Sequence, residues 1–144
     1  MVGGQCLDLE ADKLGRPAQP QPADVERLAV MKTGALMRCA CELGAILGQA
    51  GPDVRQALET YGERLGLAFQ IADDLLDAEG DAAAMGKAAR KDAAKATLHA
   101  ASGAGAAKRR LAVVADEAVA ALASFGSRAE TLRQAVAFAV QRER

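Results

Sequence analysis

Between Asp53 and Asp77 the residues Leu58, Tyr61, Leu65, Phe69, Ala72 and Leu76 recur at spacings of three and four. That period lays one apolar stripe along an α-helix and does not fit a strand, whose faces alternate every two residues. The rest of the chain has similar character. Its 144 residues include no Trp, one Tyr and three Phe, and Ala supplies roughly half of the 51% hydrophobic fraction. Ala is the strongest helix former, and bulky strand formers are scarce, so an all-α fold is expected. So few large side chains fill a core poorly. Part of the apolar surface is therefore expected to face a partner or further sequence.

Several function classes fall away at this point. A net charge of −1 and a pI near 5.9 argue against nucleic-acid binding through general basicity. No run of about 18 apolar residues is present, so no membrane span is expected. Met1-Val2-Gly3-Gly4-Gln5 has neither the basic nor the apolar region of a signal peptide. The three cysteines, Cys6, Cys39 and Cys41, form neither a disulfide framework nor a zinc pattern. They read as small buried hydrophobes in a reducing cytoplasm.

The first nine residues look like the tail of a helix. Gly15, Pro17, Pro20 and Pro22 mark a loop over 12–22. Val25, Leu28, Ala29, Leu36, Leu43, Ile46 and Leu47 give helical spacing over 24–48, interrupted at Lys32-Thr33-Gly34. That interruption predicts two consecutive helices meeting near Lys32. Gly51-Pro52 ends this unit and opens a helix over 53–77. On it, Gly62 and Gly66 would let a neighbouring helix approach closely. Residues 78–97 read as a long loop, which would leave His99 as a loop residue as well. Helices over 105–124 and 128–141 follow, the first stopped by Gly126 and the second opened by a capping box at Ser127–Glu130. No internal repeat is present.

The chemistry concentrates in Phe69-Gln70-Ile71-Ala72-Asp73-Asp74-Leu75-Leu76-Asp77. On a helix Asp73 and Asp77 share a face, Gln70 lies one turn earlier, and Asp74 sits about 100° around. Three carboxylates near a helix C-terminus oppose its dipole and repel one another, so a counter-charge is expected. Hard oxygen ligands select Mg²⁺ or Ca²⁺. A solvated acidic helix end would show the same residues. Gly86-Lys87, Arg90, Lys91 and Lys95 follow directly, an order suited to carboxylate, metal, phosphate and lysine in contact, although a basic surface loop would look alike. Lys32-Thr33 at a helix N-terminus would suit an anion. Gln5 and Asp8, three apart, suit either an inward polar pair or a plain polar face.

Taken in order, Gly-Gln with a following Asp, Lys32-Thr33-Gly34, Phe69-Gln70-x-x-Asp73-Asp74-x-x-Asp77, Gly86-Lys87 and Lys95-x-Thr97 resemble the C-terminal half of trans-isoprenyl diphosphate synthases. This is the polyprenyl synthetase family, which includes farnesyl and geranylgeranyl diphosphate synthases. The resemblance covers essentially all of residues 1–144. It implies a helical bundle of the isoprenoid synthase type around a deep cavity. It also implies Mg²⁺-dependent condensation of an allylic diphosphate with isopentenyl diphosphate, in the cytoplasm.

Residue by residue, the resemblance makes Asp73, Asp74 and Asp77 the second aspartate-rich motif, with Asp73 as the direct Mg²⁺ ligand. It assigns Lys32, Lys87 and Lys95 to the allylic diphosphate. Thr33 and Gln70 would stabilise the developing carbocation or help take up a proton. Phe69 would lie beside the homoallylic substrate, and Gln5 and Asp8 would be supporting polar groups. The family's first aspartate-rich motif, its following arginines and its isopentenyl-binding basic residues are not in these residues. The family often has Gln where Ala72 stands, Gly where Arg90 stands and Tyr-Pro where Leu98-His99 stand. A truncated or partial chain is therefore expected, with doubtful activity alone and with a second copy or a complementary subunit as partner. The competing expectation is a non-catalytic helical partner or regulatory subunit. A Ca²⁺ module is disfavoured, since the 12-residue ligand loop is lacking.

Overall fold

In a computed structural model of the chain, residues 1–14, 21–83 and 97–141 are described. Among them every regular element is helical. Helix α1 spans Val2–Leu14, α2 Pro22–Ala29 and α3 Ala35–Leu47, with a π-helical turn at Val30–Gly34 joining the last two. Helix α4 is the long element, Pro52–Ala83. Then come the short α5, Leu98–Ser102, helix α6 over Ala104–Ala121, a 3-10 segment at Ala123–Ala129 and α7 over Glu130–Gln141.

The boundaries differ from expectation where local preference was misjudged. Residues 12–14 continue α1, because no Gly or Pro stands between Gly4 and Gly15. Pro22 starts α2, where its missing N–H costs nothing. Helix α4 does not stop at Asp77. Ala78, Glu79, Ala82 and Ala83 are good helix formers, and they carry it through Gly80, which costs only about 1 kcal/mol relative to Ala. The rest of the expected loop, 84–96, lies outside the described residues, as do 15–20. His99 belongs to α5, whose first turn is capped by Thr97 accepting from the Ala100 amide at 3.1 Å. Helix α6 ends at Ala121 and α7 starts at Glu130, because a 3-10 run bent at Gly126 (φ 57°) occupies the space between.

Helix α4 is the axis of the molecule and touches the π turn and α2, α3, α5, α6 and α7. Its anticipated stripe describes only part of what it buries. Leu67, Ala68, Ile71 and Leu75 are buried as well as Ala72, so α4 is covered on more than one side. Two apolar clusters result. One gathers Val25, Ala29, Leu67, Ala68, Ile71, Ala72, Leu75, Leu98, Ala107, Leu111 and Val114. The other gathers Tyr61, Ala118, Leu122, Ala129 and Val136, with Leu58, Leu65, Phe125 and Leu132 against it. The Tyr61 hydroxyl donates to the Leu132 carbonyl at 2.9 Å, which ties α4 to α7.

On another side, α4 meets the π turn and α3 through glycine, as its spacing implied. A Cβ at Gly66 would fall 2.5 Å from the Gly34 Cα, and one at Gly62 would fall 2.8 Å from the Arg38 Cα. No side chain fits between those backbones. At the periphery Arg110 binds Glu26 with two 2.8 Å hydrogen bonds and approaches Glu117, which Arg64 reaches at 3.2 Å. This links α2, α6 and α4. The Glu26 hydrogen bond raises the Arg110 pKa above its usual value, with burial opposing it. Apolar surface also remains uncovered. Leu36, Leu43 and Leu47 lie on one face of α3, with Leu47 82% exposed, and Phe138 on α7 is 70% exposed.

Two outcomes follow from this packing. Gly66→Ala forces a methyl group into backbone and lowers stability by about 1–3 kcal/mol, read from the urea midpoint. Burial, and next the neighbouring Cys41, push the Tyr61 phenol up to about 12. An unfolded phenol ionises near 10. The folded state therefore holds this contribution below pH ~10 and loses it as pH rises towards 12. Tyr61→Phe costs about 1 kcal/mol at neutral pH and removes that share of the alkaline loss, so the two proteins converge in stability above pH ~10.

Candidate functional site

The π turn Val30–Gly34 carries Lys32 and Thr33. Here the Ala35 amide bonds to the Val30 carbonyl, five residues back. The helix thus continues from Pro22 to Leu47, and the two separate helices expected near Lys32 are one run with a bulge. This overturns the idea of a helix N-terminus beside Lys32-Thr33. Such a terminus would leave unsatisfied N–H groups for an anion, whereas the run continues through this turn. What the bulge does provide is a local change of helical phase, a device common at functional positions. Helix α1 presses on the same turn. A Cβ at Gly4 would lie 2.7 Å from the Lys32 nitrogen.

Opposite the bulge, α4 presents Gln70 one turn beyond Gly66. The Thr33 hydroxyl donates to Gln70 Oε1 at 2.9 Å, and Gln70 Nε2 donates to Asp74 Oδ1 at 3.0 Å. Three of the anticipated site residues, from segments 37 positions apart in sequence, thus form one hydrogen-bonded chain. Gln70 and Asp74 are four apart on α4, the spacing at which helical side chains meet.

Asp73 and Asp77 share another strip of the same helix. Because α4 runs on to Ala83, the acidic trio is not at the helix end. The dipole acts mainly within the last turn, so it is a minor influence here. Among the described residues no three His, Cys, Asp or Glu side chains converge as a metal-holding group. Asp73 and Asp77 are hard oxygen donors one turn apart, and Asp74 is engaged by Gln70. Such a donor set fits a cation that takes one or two carboxylates and completes its shell with water and ligand oxygens, as Mg²⁺ does.

The remaining anticipated residues divide. Phe69 is half-buried on α4, and Gln5 is half-buried on α1 beside Gly4. Asp8 is also on α1, with its side chain outside the described residues, and Lys87 and Lys95 lie outside them altogether. A hollow of about 390 Å³ opens between α1 and the α3 side of the π turn, lined by Gly3, Gly4, Met31, Gly34, Arg38 and Glu63 among others. None of the anticipated site residues among the described ones lines it. Two elements escaped the sequence pattern. Gly4 belongs to the Gly-Gln motif, but its close approach to the π turn gave no signal, since that need is set by a distant segment. The Glu26–Arg110–Glu117–Arg64 array joins charges that look like ordinary surface residues.

Comparison with known proteins adds an independent line. The profile of the polyprenyl synthetase family matches residues 1–123. The farnesyl diphosphate synthase of Escherichia coli is 46% identical over 88 residues, covering 60% of this chain and 28% of that protein. The geranylgeranyl diphosphate synthase of Mycobacterium tuberculosis is 42% identical over 100 residues, covering 65% of this chain and 29% of its own. An apo crystal structure of an FPP/GFPP synthase from Zymomonas mobilis superposes with a TM-score of 0.80 at 40% identity. That match covers 97% of this chain and 45% of the other. The chain thus spans under a third of the length of those two curated relatives and under half of the structural one.

The contact between α1 and the bulge is open to a direct check. Gly4→Ala places a methyl group against the Lys32 backbone, at a cost of about 1–3 kcal/mol. Hydrogen exchange should show amides of α1 losing protection while those of α6 and α7 keep theirs.

Proposed function

Because this chain belongs to the polyprenyl synthetase family, we propose that it carries the diphosphate-holding face of an Mg²⁺-dependent trans-prenyltransferase. The reaction joins an allylic diphosphate to isopentenyl diphosphate. The observation that carries this reading is the Thr33–Gln70–Asp74 chain, which sets the turn bearing Lys32 against the helix bearing the aspartates.

In this scheme Asp73 would hold Mg²⁺ directly, with Asp74 beside it and Asp77 one turn on completing the acidic motif. When bound, Mg²⁺ stabilises the charge gathering on the departing diphosphate. Lys32, Lys87 and Lys95 grip the same phosphate oxygens as point charges on long stems. Thr33 and Gln70 place oxygen dipoles near the carbon that becomes electron-poor, a fixed arrangement that needs no reorganisation as charge develops. Phe69 offers an apolar wall beside the isopentenyl group and helps exclude water from the cation. Gln5 and Asp8 support the turn from α1. The open α3 face of Leu36, Leu43 and Leu47 fits a second copy or a complementary chain completing the bundle. Cys6 and Cys39 are exposed and Cys41 half-buried, so they are not the buried hydrophobes expected, and as free thiols they suit a reducing compartment such as the cytoplasm.

Calorimetry with inorganic pyrophosphate tests the core of this reading. Binding is expected only with Mg²⁺ present and is abolished by EDTA, and Asp73→Asn weakens it roughly tenfold or more. Equal binding without Mg²⁺, or unchanged binding in the variant, overturns the metal assignment.

A further inference from the structure

We propose that Asp74 is a positioning residue that fixes the direction of the Thr33 hydroxyl through Gln70. This deepens the function proposed above and depends on it only for what the hydroxyl faces. A carboxylate accepts hydrogen bonds and an amide does both. Asp74 therefore dictates which end of the Gln70 amide turns towards it. The amide nitrogen donates to Asp74 Oδ1 at 3.0 Å, and the amide oxygen is left facing the π turn. There it takes the Thr33 hydroxyl proton at 2.9 Å. Reversing the amide would set Gln70 Oε1 against Asp74 Oδ1, oxygen against oxygen, and forfeit a charge-assisted bond.

The consequence is a polarised hydroxyl. With its one proton committed to Gln70, Thr33 offers only lone pairs to a ligand lying over the bulge. It is an acceptor there and not a donor. An electron-poor carbon or another cationic group matches that oxygen, whereas a phosphate oxygen does not. Asp74 thus acts on the Thr33 hydroxyl without touching it, and its partner on the way, Gln70, is four residues upstream on the same rigid helix.

The relay can be read by NMR on the full 144-residue chain without Mg²⁺ or any ligand. The Thr33 hydroxyl proton and the Gln70 side-chain amide protons should exchange with water about tenfold slower than exposed groups of their kind. Asp74→Ala should release the Thr33 hydroxyl to fast exchange although the two residues share no bond. Asp74→Glu, which keeps an acceptor-only carboxylate on a stem one methylene longer, should preserve protection. In a Gln70→Met background, Asp74→Ala should have no further effect on Thr33. An unchanged Thr33 hydroxyl in Asp74→Ala overturns the proposal, and so does loss of protection in Asp74→Glu equal to that in Asp74→Ala. Circular dichroism of each variant keeps unfolding from imitating the release. Loss of pyrophosphate binding by the unmodified chain would count against the metal reading alone, while retained coupling between positions 74 and 33 would still support the relay.

Discussion

Gly66 rests against Gly34 with backbone on backbone, and a Cβ added there would lie 2.5 Å from the Gly34 Cα. The approach at Gly62 to Arg38 continues the same seam. This closeness sets the reach of every side chain further along the two segments. Thr33 is short and Gln70 only moderately long, so their 2.9 Å hydrogen bond requires helices packed this tightly. Separate the helices by one methyl group and the polar chain from the bulge to the aspartates opens. The stability of the seam and the integrity of the candidate site are therefore one constraint.

The helix α4 meets that constraint because it is held elsewhere. Its apolar faces enter two clusters, one with α2, α5 and α6 and the other with α6 and α7. Tyr61 pins it to α7, and the Glu26–Arg110–Glu117–Arg64 array ties it to α2 and α6. Solvent-accessible ion pairs contribute little stability individually, typically about 0–1 kcal/mol, and these are only partly buried. Their geometric effect is more distinct, since they fix how α2 leads into the bulge. The chain thus keeps its apolar packing on several sides of α4 and its polar chemistry on the remaining one.

Much of this was legible in advance, and the failures have physical causes. Helical class followed from the three-and-four spacing at Leu58–Leu76 and from Ala-rich composition. Gly62 and Gly66 were correctly read as points of close approach, because two glycines one turn apart have few other uses on a helix. The interruption at Lys32-Thr33-Gly34 was visible, but its nature was not. A break between helices and a π bulge leave the same irregular period, and only backbone hydrogen bonding distinguishes them. The expected end of α4 at Asp77 falls short because the Gly-, Ala- and Lys-rich residues that follow lack helical periodicity, while their Ala content favours helix. His99 was misplaced with that loop, although Thr97 before Leu98 was a legible capping signal.

The order of residue types along the chain determined by itself that the fold is helical, where its glycine seam lies and which residues carry oxygen and ammonium groups. Those are local properties, set by side-chain volume, backbone freedom and ionisation. Tertiary structure alone decided that Thr33 donates to Gln70 and Gln70 to Asp74, and that α1 seats Gly4 on the bulge. Each of those contacts depends on how two distant segments are spaced and rotated about their axes. Hydrogen bonds form only within a few tenths of an ångström of their preferred length, a precision that periodicity along one helix cannot encode.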